Sequence, residues 1–279
     1  MEQRIKQRGL TGFQLKYIAM ILMVLDHIHY FFDFTGKIPI WFSMLGRLSA
    51  PLFLFCIIEG FTHTRNRKKY FLQIYGIAIA MGLIQFLIII LKWNRPDEFY
   101  PQNQMLATFS ILLVILQGID WCANKKWVKG LAAIIVPVGL PYLAVFLGSK
   151  VPAAWFYIQV LHFSIFPLHS WIMDGGTFFI LQGVLLYVLR KHRKWQACIF
   201  IVFTMLFYAV LPFIMMPDIT VKLLFTDYFE WMGVFAAIPM LMYNGERGKG
   251  SKKLFYWFYP GHIYLLYGLS YALYFILNK

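Results

Sequence analysis

The chain has 279 residues, of which 60% are hydrophobic and 14% are charged, and its mean hydropathy is +0.64. A soluble domain is typically about half apolar and about a quarter charged, so this composition excludes an ordinary soluble protein and predicts an integral membrane protein. The formal net charge of +14 fits loops that lie beside anionic lipid or a phosphorylated ligand, and nucleic acid is not needed to explain it. The three cysteines are isolated in the sequence and predict neither a disulfide framework nor a zinc site.

Nine apolar segments are predicted to cross the membrane, because each approaches the roughly 20 residues that a spanning helix needs. In chain order they are 14–34, 40–62, 70–91, 105–119, 130–148, 176–190, 195–216, 225–243 and 254–277. The first segment lacks a small-residue cleavage site and is interpreted as a retained helix, not a signal peptide. The sequence therefore predicts an all-α polytopic membrane protein of about nine (8–10) transmembrane helices, in a single domain over 1–279.

A tenth segment, 153–172, is aromatic but interrupted by Pro167, and it carries His162 and His169. The distribution of basic residues decides how it is interpreted, since Lys and Arg gather in cytoplasmic loops. With nine spans and a cytoplasmic N-terminus, 18 of the 26 Lys and Arg residues fall on the inside, in 1–13, 63–69, 120–129, 190–194 and 244–253. A tenth crossing would weaken this bias, so 153–172 is predicted to be a re-entrant or interfacial segment on the outer side.

Ionisable residues cluster within two of the predicted spans. With a helical rise of about 1.5 Å per residue, Asp26, His27 and Arg47 fall in one layer, roughly 20 Å from the cytoplasmic edge. Asp26 and Arg47 form either a structural ion pair or part of a functional site, and charges inside a membrane favour the second interpretation. His29 lies nearer the outer interface, where an interfacial role is expected.

A second group of polar residues lies towards the cytoplasmic edge. Glu59 and His63 are four residues apart on one helical face, and the basic stretch of Arg65, Arg67, Lys68 and Lys69 follows directly. This stretch either sets the topology or binds an anionic ligand. His262, on the last predicted span, falls between this edge and the buried layer. His162 and His169 are expected to line an outer cavity or to hydrogen-bond the backbone, since their spacing is not that of metal ligands, and no metal site is predicted.

Three stretches together resemble the TraX family of membrane proteins, which looks related to the wider transmembrane acyltransferases. They are LKYIAMILMVLDHIHYFF, LGRLSAPLFLFCIIEGFTHTRNRKKY and FYWFYPGHIYLLY, and they cover the first ninety or so residues and the last twenty-five. The resemblance implies acetyl-CoA from the cytoplasm as the donor and a membrane-embedded histidine, and it favours a pilin-like N-terminus as the acceptor. It also implies a bacterial inner-membrane location. The middle, about 95–250, is matched only by its helical character.

The residues and the resemblance suggest a common mechanism. The phosphates of acetyl-CoA would contact Arg65, Arg67, Lys68 and Lys69, and the pantetheine arm would pass Glu59 and His262. His27 would act as general base, with Asp26 or a carboxylate from another helix holding its tautomer. Arg47 would stabilise the oxyanion. Direct transfer and an acetyl-histidine intermediate both remain open.

Other interpretations remain open as well. The acceptor at the outer face is a peptide, a lipid or a glycan, and its amine or hydroxyl would be acetylated. A proton-coupled transporter also places charges at depth, although it usually shows internal repeats, which the sequence does not reveal. A non-catalytic membrane partner of an envelope or conjugation system would need no coenzyme A. The oligomeric state cannot be inferred from the sequence.

Overall fold

The computed structural model describes residues 9–216 and 218–278, and most of them lie in helices. Among these residues there is no β-strand, and the one extended contact is an isolated bridge between Leu10 and Tyr243. The described residues fall into two compact units. Unit 1 comprises the residues up to Gly60 together with Val188–Lys253, and unit 2 comprises Phe61–Tyr187 together with the residues from Leu254 onward. Arg4, Lys6 and Arg8, which contribute to the predicted orientation, lie outside the described residues.

Unit 1 contains the first membrane helices and a second group from the later part of the chain. Its main helices are α1 (Gly12–Phe32), α2 (Trp41–Gly46), α3 (Ser49–His63, up to Gly60), α9 (Arg193–Met205), α10 (Leu211–Met215), α11 (Leu223–Thr226) and α12 (Ala237–Leu241). Three short helical segments complete the unit: the 3₁₀ turn Asp33–Thr35, the π-helical segment Leu206–Val210 and the 3₁₀ segment Phe229–Ala236.

Unit 2 is built around a central buried helix. It comprises α4 (Arg67–Ile90), α5 (Met105–Ala123), α6 (Trp127–Lys150), α7 (Ala154–Phe163), α8 (Gly176–Val188, up to Tyr187) and α13 (Lys252–Leu277, from Leu254). Helix α5 packs against α4 on one side and α6 on the other. Leu112, Leu113 and Leu116 of α5 are almost fully buried. Helix α6 instead exposes Ile135 and Phe146, as expected of a face in contact with lipid.

Six helical stretches are long and apolar enough to cross a membrane. They are Gly12–Thr35, Trp41–His63, Arg67–Ile90, Met105–Ala123, Trp127–Lys150 and Arg193–Met215. The shorter apolar helices Gly176–Val188 and Phe229–Leu241 coincide with two of the less apolar predicted spans. Helix α13 covers the last predicted span, and its six tyrosines make it less apolar than the others. The prediction of an all-α polytopic membrane protein is confirmed, whereas the count of nine spans stays a prediction.

The segment predicted to be re-entrant or interfacial, 153–172, does not form a spanning helix. Its helical part, α7, has 10 residues and is therefore about 15 Å long, half of what the hydrocarbon core requires. Helix α7 packs against α4 and α6. The residues that follow it are non-helical up to Gly176.

The loop after α4 is held by a buried arginine. The side chain of Arg95 is only 3% exposed, and its Nε and Nη2 both donate to the carboxylate of Asp97 at 2.8 Å. These hydrogen bonds hold the pKa of Asp97 below its ordinary value. The guanidinium also stacks against Phe99, with its carbon 4.3 Å from the ring centroid. This ion pair fixes the loop that joins α4 to α5.

Two glycines of α4 allow a matched test of the packing between α4 and α7. A Cβ added at Gly82 would lie 2.2 Å from the backbone oxygen of Phe163, whereas one added at Gly76 would meet nothing within 4 Å. We expect Gly82→Ala to lower the free energy of unfolding by about 1–3 kcal/mol through overpacking. Gly76→Ala should leave it unchanged or raise it by up to about 1 kcal/mol, because alanine has the higher helix propensity. Thermal unfolding of both variants in detergent measures the difference, and equal stabilities would contradict this packing.

Candidate functional site: an arginine held by two carboxylates

The candidate site lies in unit 1, where four polar side chains from separate elements meet. Asp26 comes from α1, Ser43 from α2, and Arg47 from the position directly after α2. Glu230 comes from the 3₁₀ segment Phe229–Ala236, 183 residues further along the chain. The structure thus brings together Asp26 and Arg47, as the depth estimate from the sequence predicts, and adds two residues to them.

The guanidinium of Arg47 donates hydrogen bonds to the other three members of this cluster. Its Nη1 donates to both carboxylate oxygens of Glu230 at 2.9 Å, and its Nη2 donates to Asp26 Oδ1 and, at 2.8 Å, to Ser43 Oγ. Its Nε donates to the backbone oxygen of Ser43 at 3.2 Å. The Ser43 hydroxyl in turn donates to Asp26 Oδ1 at 2.7 Å. Each of the three guanidinium nitrogens of Arg47 therefore has an acceptor within the protein.

The second helical span is interrupted at Arg47 because of a nearby proline. The sequence predicts one continuous span over 40–62, but the structure ends α2 at Gly46 and begins α3 at Ser49. Pro51 lacks the N–H that would donate to the Arg47 carbonyl in a continuous helix, and its ring crowds that carbonyl. The break places the Arg47 side chain beside α1. The predicted span 40–62 matches the apolar stretch Trp41–His63, and the structure adds a short interruption within it.

Two glycines allow the close approach of the backbone to this cluster. A Cβ on Gly46 would lie 2.3 Å from the Cβ of Asp26, which a real side chain cannot occupy. A Cβ on Gly233 would lie 3.2 Å from the backbone oxygen of Arg47. The 3₁₀ segment that carries Glu230 therefore packs directly against the broken span.

The cluster contains more negative than positive charge. Asp26 and Glu230 contribute two carboxylates, and Arg47 is the cation that contacts both. The side chains of Asp26 and Arg47 are about four-fifths and three-quarters buried, whereas that of Glu230 is 53% exposed. Glu230 is therefore the partner that can leave Arg47 most easily. Charged groups at membrane depth are costly and typically mark a functional position.

His27 lies on a different face of α1 from Asp26. It belongs to the buried row that also contains Met23 and Phe31, and it is 7% exposed. Its ring centroid lies 6.3 Å from that of Tyr30 and 6.1 Å from that of Phe31. Its role as general base stays a prediction. His29 approaches Asp33 at 3.4 Å, one turn further along the chain.

Glu59 is engaged by an arginine that the sequence assigns only to topology. Arg193 Nη2 donates to Glu59 at 3.1 Å, and Nη1 donates to Gln196 at 2.6 Å. The guanidinium carbon lies 4.6 Å from the ring centroid of Phe55 and 5.1 Å from that of Tyr243. Glu59 is therefore part of a packed ion pair. A direct role in binding substrate stays a prediction for both Glu59 and the exposed His63.

In unit 2 the cations of the basic stretch after α3 differ in their surroundings: Arg67 is bonded within the protein, and the others are exposed. Arg67 Nη1 donates to Asp120 Oδ2 at 2.5 Å and to Gln117 at 3.3 Å, and the guanidinium carbon lies 4.3 Å above the ring of Phe61. Tyr187 donates its hydroxyl to the other oxygen of Asp120 at 2.5 Å. Arg67 is therefore part of a network within the protein, and its role as a phosphate ligand stays a prediction. The exposed cations of the stretch are Arg65, Lys68 and Lys69.

The remaining histidines of unit 2 bond to the backbone. His262 is 7% exposed, its Nδ1 lies 2.8 Å from the Phe258 carbonyl, and its ring stacks on that of Phe258 at 4.9 Å. The Leu168 N–H donates to His162 Nδ1 at 3.0 Å. His169 Nε2 lies 3.3 Å from the Val138 carbonyl. Backbone bonding is one of the two roles that the sequence predicts for His162 and His169, beside lining an outer cavity. No cluster of three His, Cys, Asp or Glu side chains suited to a metal occurs within 9–216 and 218–278.

Sequence reasoning misses Ser43 and Glu230, and each leaves a weak signal. Ser43 is four residues before Arg47 and so lies on the same helical face. Glu230 is an acidic residue inside the predicted span 225–243, where a carboxylate needs a partner. Neither signal identifies Arg47 as that partner, since 183 residues separate Arg47 from Glu230.

Comparison with known proteins identifies the family. The model of the TraX protein family matches residues 11–270. The chain belongs to the TraX family. It is 26% identical over 266 residues to the probable fimbrial assembly protein FimC, serogroup H1, of Dichelobacter nodosus, which covers 92% of this chain and 94% of that protein. It is also 26% identical over 125 residues to protein TraX of Escherichia coli, with 44% of each chain covered. No solved structure matches the chain.

Removing Arg47 should destabilise the protein, because the carboxylates of the cluster then have no cation. We expect Arg47→Ala to lower the free energy of unfolding by about 2–4 kcal/mol, because Asp26 is left partly buried without its cation. Adding Asp26→Asn to Arg47→Ala should recover part of this loss, because it removes the unpaired carboxylate. Thermal unfolding of the four members of this double-mutant cycle measures the coupling. Additive losses would contradict the contact.

The buried His162 gives unit 2 a pH dependence. Burial lowers the pKa of His162 from 6.5 to about 4, and α7 is outside the six long apolar stretches. Between these values the unfolded chain binds the proton more readily than the folded one. The stability contributed by neutral His162 is therefore complete above pH 6.5 and lost as the pH falls towards 4. Melting temperatures measured over this interval should fall more steeply for wild type than for His162→Gln, and parallel curves would contradict the assignment.

Proposed function

We propose that this protein is a membrane acetyltransferase that transfers an acetyl group from cytoplasmic acetyl-CoA to an amine or hydroxyl at or beyond the outer face of the bacterial inner membrane. The observation that carries the proposal is the charged cluster of Asp26, Arg47 and Glu230, which adjoins His27 in sequence within the membrane helices of unit 1. Ionisable groups within membrane helices typically mark functional positions. Membership of the TraX family supports the assignment.

The reaction needs a nucleophile and a proton acceptor. The acceptor nitrogen or oxygen forms a bond to the acetyl carbonyl carbon, and the carbon–sulfur bond of the thioester then breaks. His27 takes the proton from the acceptor, and the departing thiolate is protonated to give coenzyme A. An imidazole suits this role because its ordinary pKa is near neutrality. A transient acetyl-histidine remains compatible with the same residues.

The geometry revises the role of Arg47 in this reaction. All three of its nitrogens already donate within the protein, to Glu230, Asp26 and Ser43. Arg47 is therefore assigned to positioning: it holds Asp26 and Ser43 together and ties α1 to the broken second span. The oxyanion role that the sequence suggests for Arg47 is not retained in the proposal.

The donor is acetyl-CoA and the acceptor is peptide, lipid or glycan. Arg65, Lys68 and Lys69 are exposed cations of the kind that contact phosphates, and they are assigned to the nucleotide end of the donor. Among acceptors, the N-terminus of a pilin-like subunit is favoured, because a relative that matches 92% of this chain is named a fimbrial assembly protein. The cytoplasmic N-terminus is part of the same proposal.

A second candidate is a membrane protein that acts without acyl transfer. The name of the Dichelobacter nodosus relative describes assembly and no reaction, which favours a non-catalytic partner in an envelope system. The break at Arg47 also resembles the discontinuous helices of transporters. Both alternatives predict that acetyl-CoA is not consumed.

The test is acetyl transfer from labelled acetyl-CoA in membranes that contain the protein. We expect wild-type membranes to label an acceptor and His27→Ala membranes to lose at least 90% of the rate, since general-base catalysis is typically worth about 10²–10⁴-fold. His29→Ala is the matched control: it removes the second histidine of the same helix and should retain activity. Both variants should be shown to insert at wild-type levels.

Full activity in an inserted His27→Ala protein would exclude the general-base role. Absence of labelling by wild type, together with unchanged acetylation in intact cells, would favour the non-catalytic alternative. Substrate flux into proteoliposomes without any acyl donor would favour the transporter.

A further inference from the structure

Unit 2 exposes a second set of cations at the turn between α5 and α6. Lys125, Lys126 and Lys129 are all exposed there. The turn is fixed by its own backbone bonds, since the Lys126 N–H donates to the Trp121 carbonyl at 2.8 Å. Lys125 adopts a φ of 61°, in the left-handed region that a residue with a side chain rarely occupies. The sequence accounts for these lysines by topology alone.

This turn lies beside the basic stretch at the start of α4. Arg67, the first residue of α4, is bonded to Asp120, which lies in the last turn of α5. Tyr187 donates to the second oxygen of the same carboxylate at 2.5 Å. The α5–α6 turn begins four residues after Asp120. The network around Asp120 therefore holds the two basic segments at one end of the unit.

Positive charge at this end of unit 2 is not neutralised by the described acidic residues. Asp120 is the acidic residue there, and it is paired with Arg67. Asp97 and Glu98 lie in the loop beyond the other end of α4. Asp174 accepts a hydrogen bond at its backbone oxygen from Thr108, near the opposite end of α5. The N-termini of α4 and α6 add two further positive partial charges at the basic end.

We propose that the two basic segments together hold the nucleotide end of coenzyme A, one segment at each of its two phosphate groups. The six cations are Arg65, Lys68, Lys69, Lys125, Lys126 and Lys129. Coenzyme A carries a 5′-diphosphate and a separate 3′-phosphate on one nucleoside, so two groups of cations on a rigid base fit it better than one. This inference rests on the proposed function and adds to it a phosphate-binding role for the α5–α6 turn.

Equilibrium binding to the purified full-length protein in detergent tests the inference without turnover. The probes are coenzyme A and acetyl-pantetheine, which lacks every phosphate of the nucleotide. We expect the triple variant Lys125→Gln, Lys126→Gln, Lys129→Gln to bind coenzyme A at least tenfold more weakly than wild type. Its affinity for acetyl-pantetheine should be unchanged.

Two control variants separate the effect of the charges at the α5–α6 turn from the effects of a lower net charge and of altered folding. Lys92→Gln with Lys150→Gln removes exposed lysines at the other ends of α4 and α6, and coenzyme A affinity should stay at the wild-type value. Replacing the three lysines of the turn by arginine should also retain binding, because the charges remain.

The outcomes distinguish the inference from the proposed function. Equal affinity of wild type and the glutamine variant for coenzyme A would overturn the inference and leave the proposed function standing. If neither protein binds coenzyme A, the inference and the assigned donor both fail. The affinity for anionic phospholipid is measured by titration with phosphatidylglycerol in mixed micelles. If the glutamine variant keeps its affinity for coenzyme A but loses its affinity for phosphatidylglycerol, the turn contacts the membrane surface and the inference is overturned.

Discussion

The hydrogen bonds and ion pairs of the Arg47 guanidinium are the interactions on which the arrangement of unit 1 depends. Its three nitrogens donate to a carboxylate of α1, a hydroxyl and a carbonyl of α2, and a carboxylate of the 3₁₀ segment that carries Glu230. This 3₁₀ segment is distant in sequence from α1 and α2, and the ion pair joins it to them. Pro51 breaks the second span at the point where Arg47 is needed, and Gly46 lets the backbone approach Asp26. One cation with directional donors thus specifies a unique arrangement of helices.

Unit 2 uses an arginine in a comparable way. Arg67 is held by Asp120, which also accepts from Tyr187, and it lies over the ring of Phe61. Because this pair is internal, the cations on either side of it are left exposed on a fixed base. Arg47 and Arg67 therefore bond within the fold, whereas most of the exposed cations beside Arg67 are lysines. This difference follows from chemistry, since a planar guanidinium bonds in several directions and an ammonium acts as a point charge.

The parts of this structure that could be predicted from the sequence are those that depend on local pattern. Apolar length predicts most of the membrane helices, and Pro167 with the basic residues predicts that 153–172 does not cross. Helical rise places Asp26 and Arg47 at one depth, and they are in contact. Glu230 could not be paired with Arg47, because pattern carries no information about contacts between segments 183 residues apart. For the same reason the sequence does not predict that Arg193 pairs with Glu59 or that Asp120 pairs with Arg67. Glu59 and Arg67, which are predicted to bind substrate, therefore have partners within the protein.

The central claim is that this protein consumes acetyl-CoA to modify an acceptor at the outer face of the membrane. Comparative mass spectrometry of peptides, lipids and glycans from cells with and without the protein tests it most directly. The account predicts a class of molecule that is acetylated only when the protein is present, at an amine or hydroxyl exposed beyond the membrane. Identical acetylation in all three classes would contradict the account.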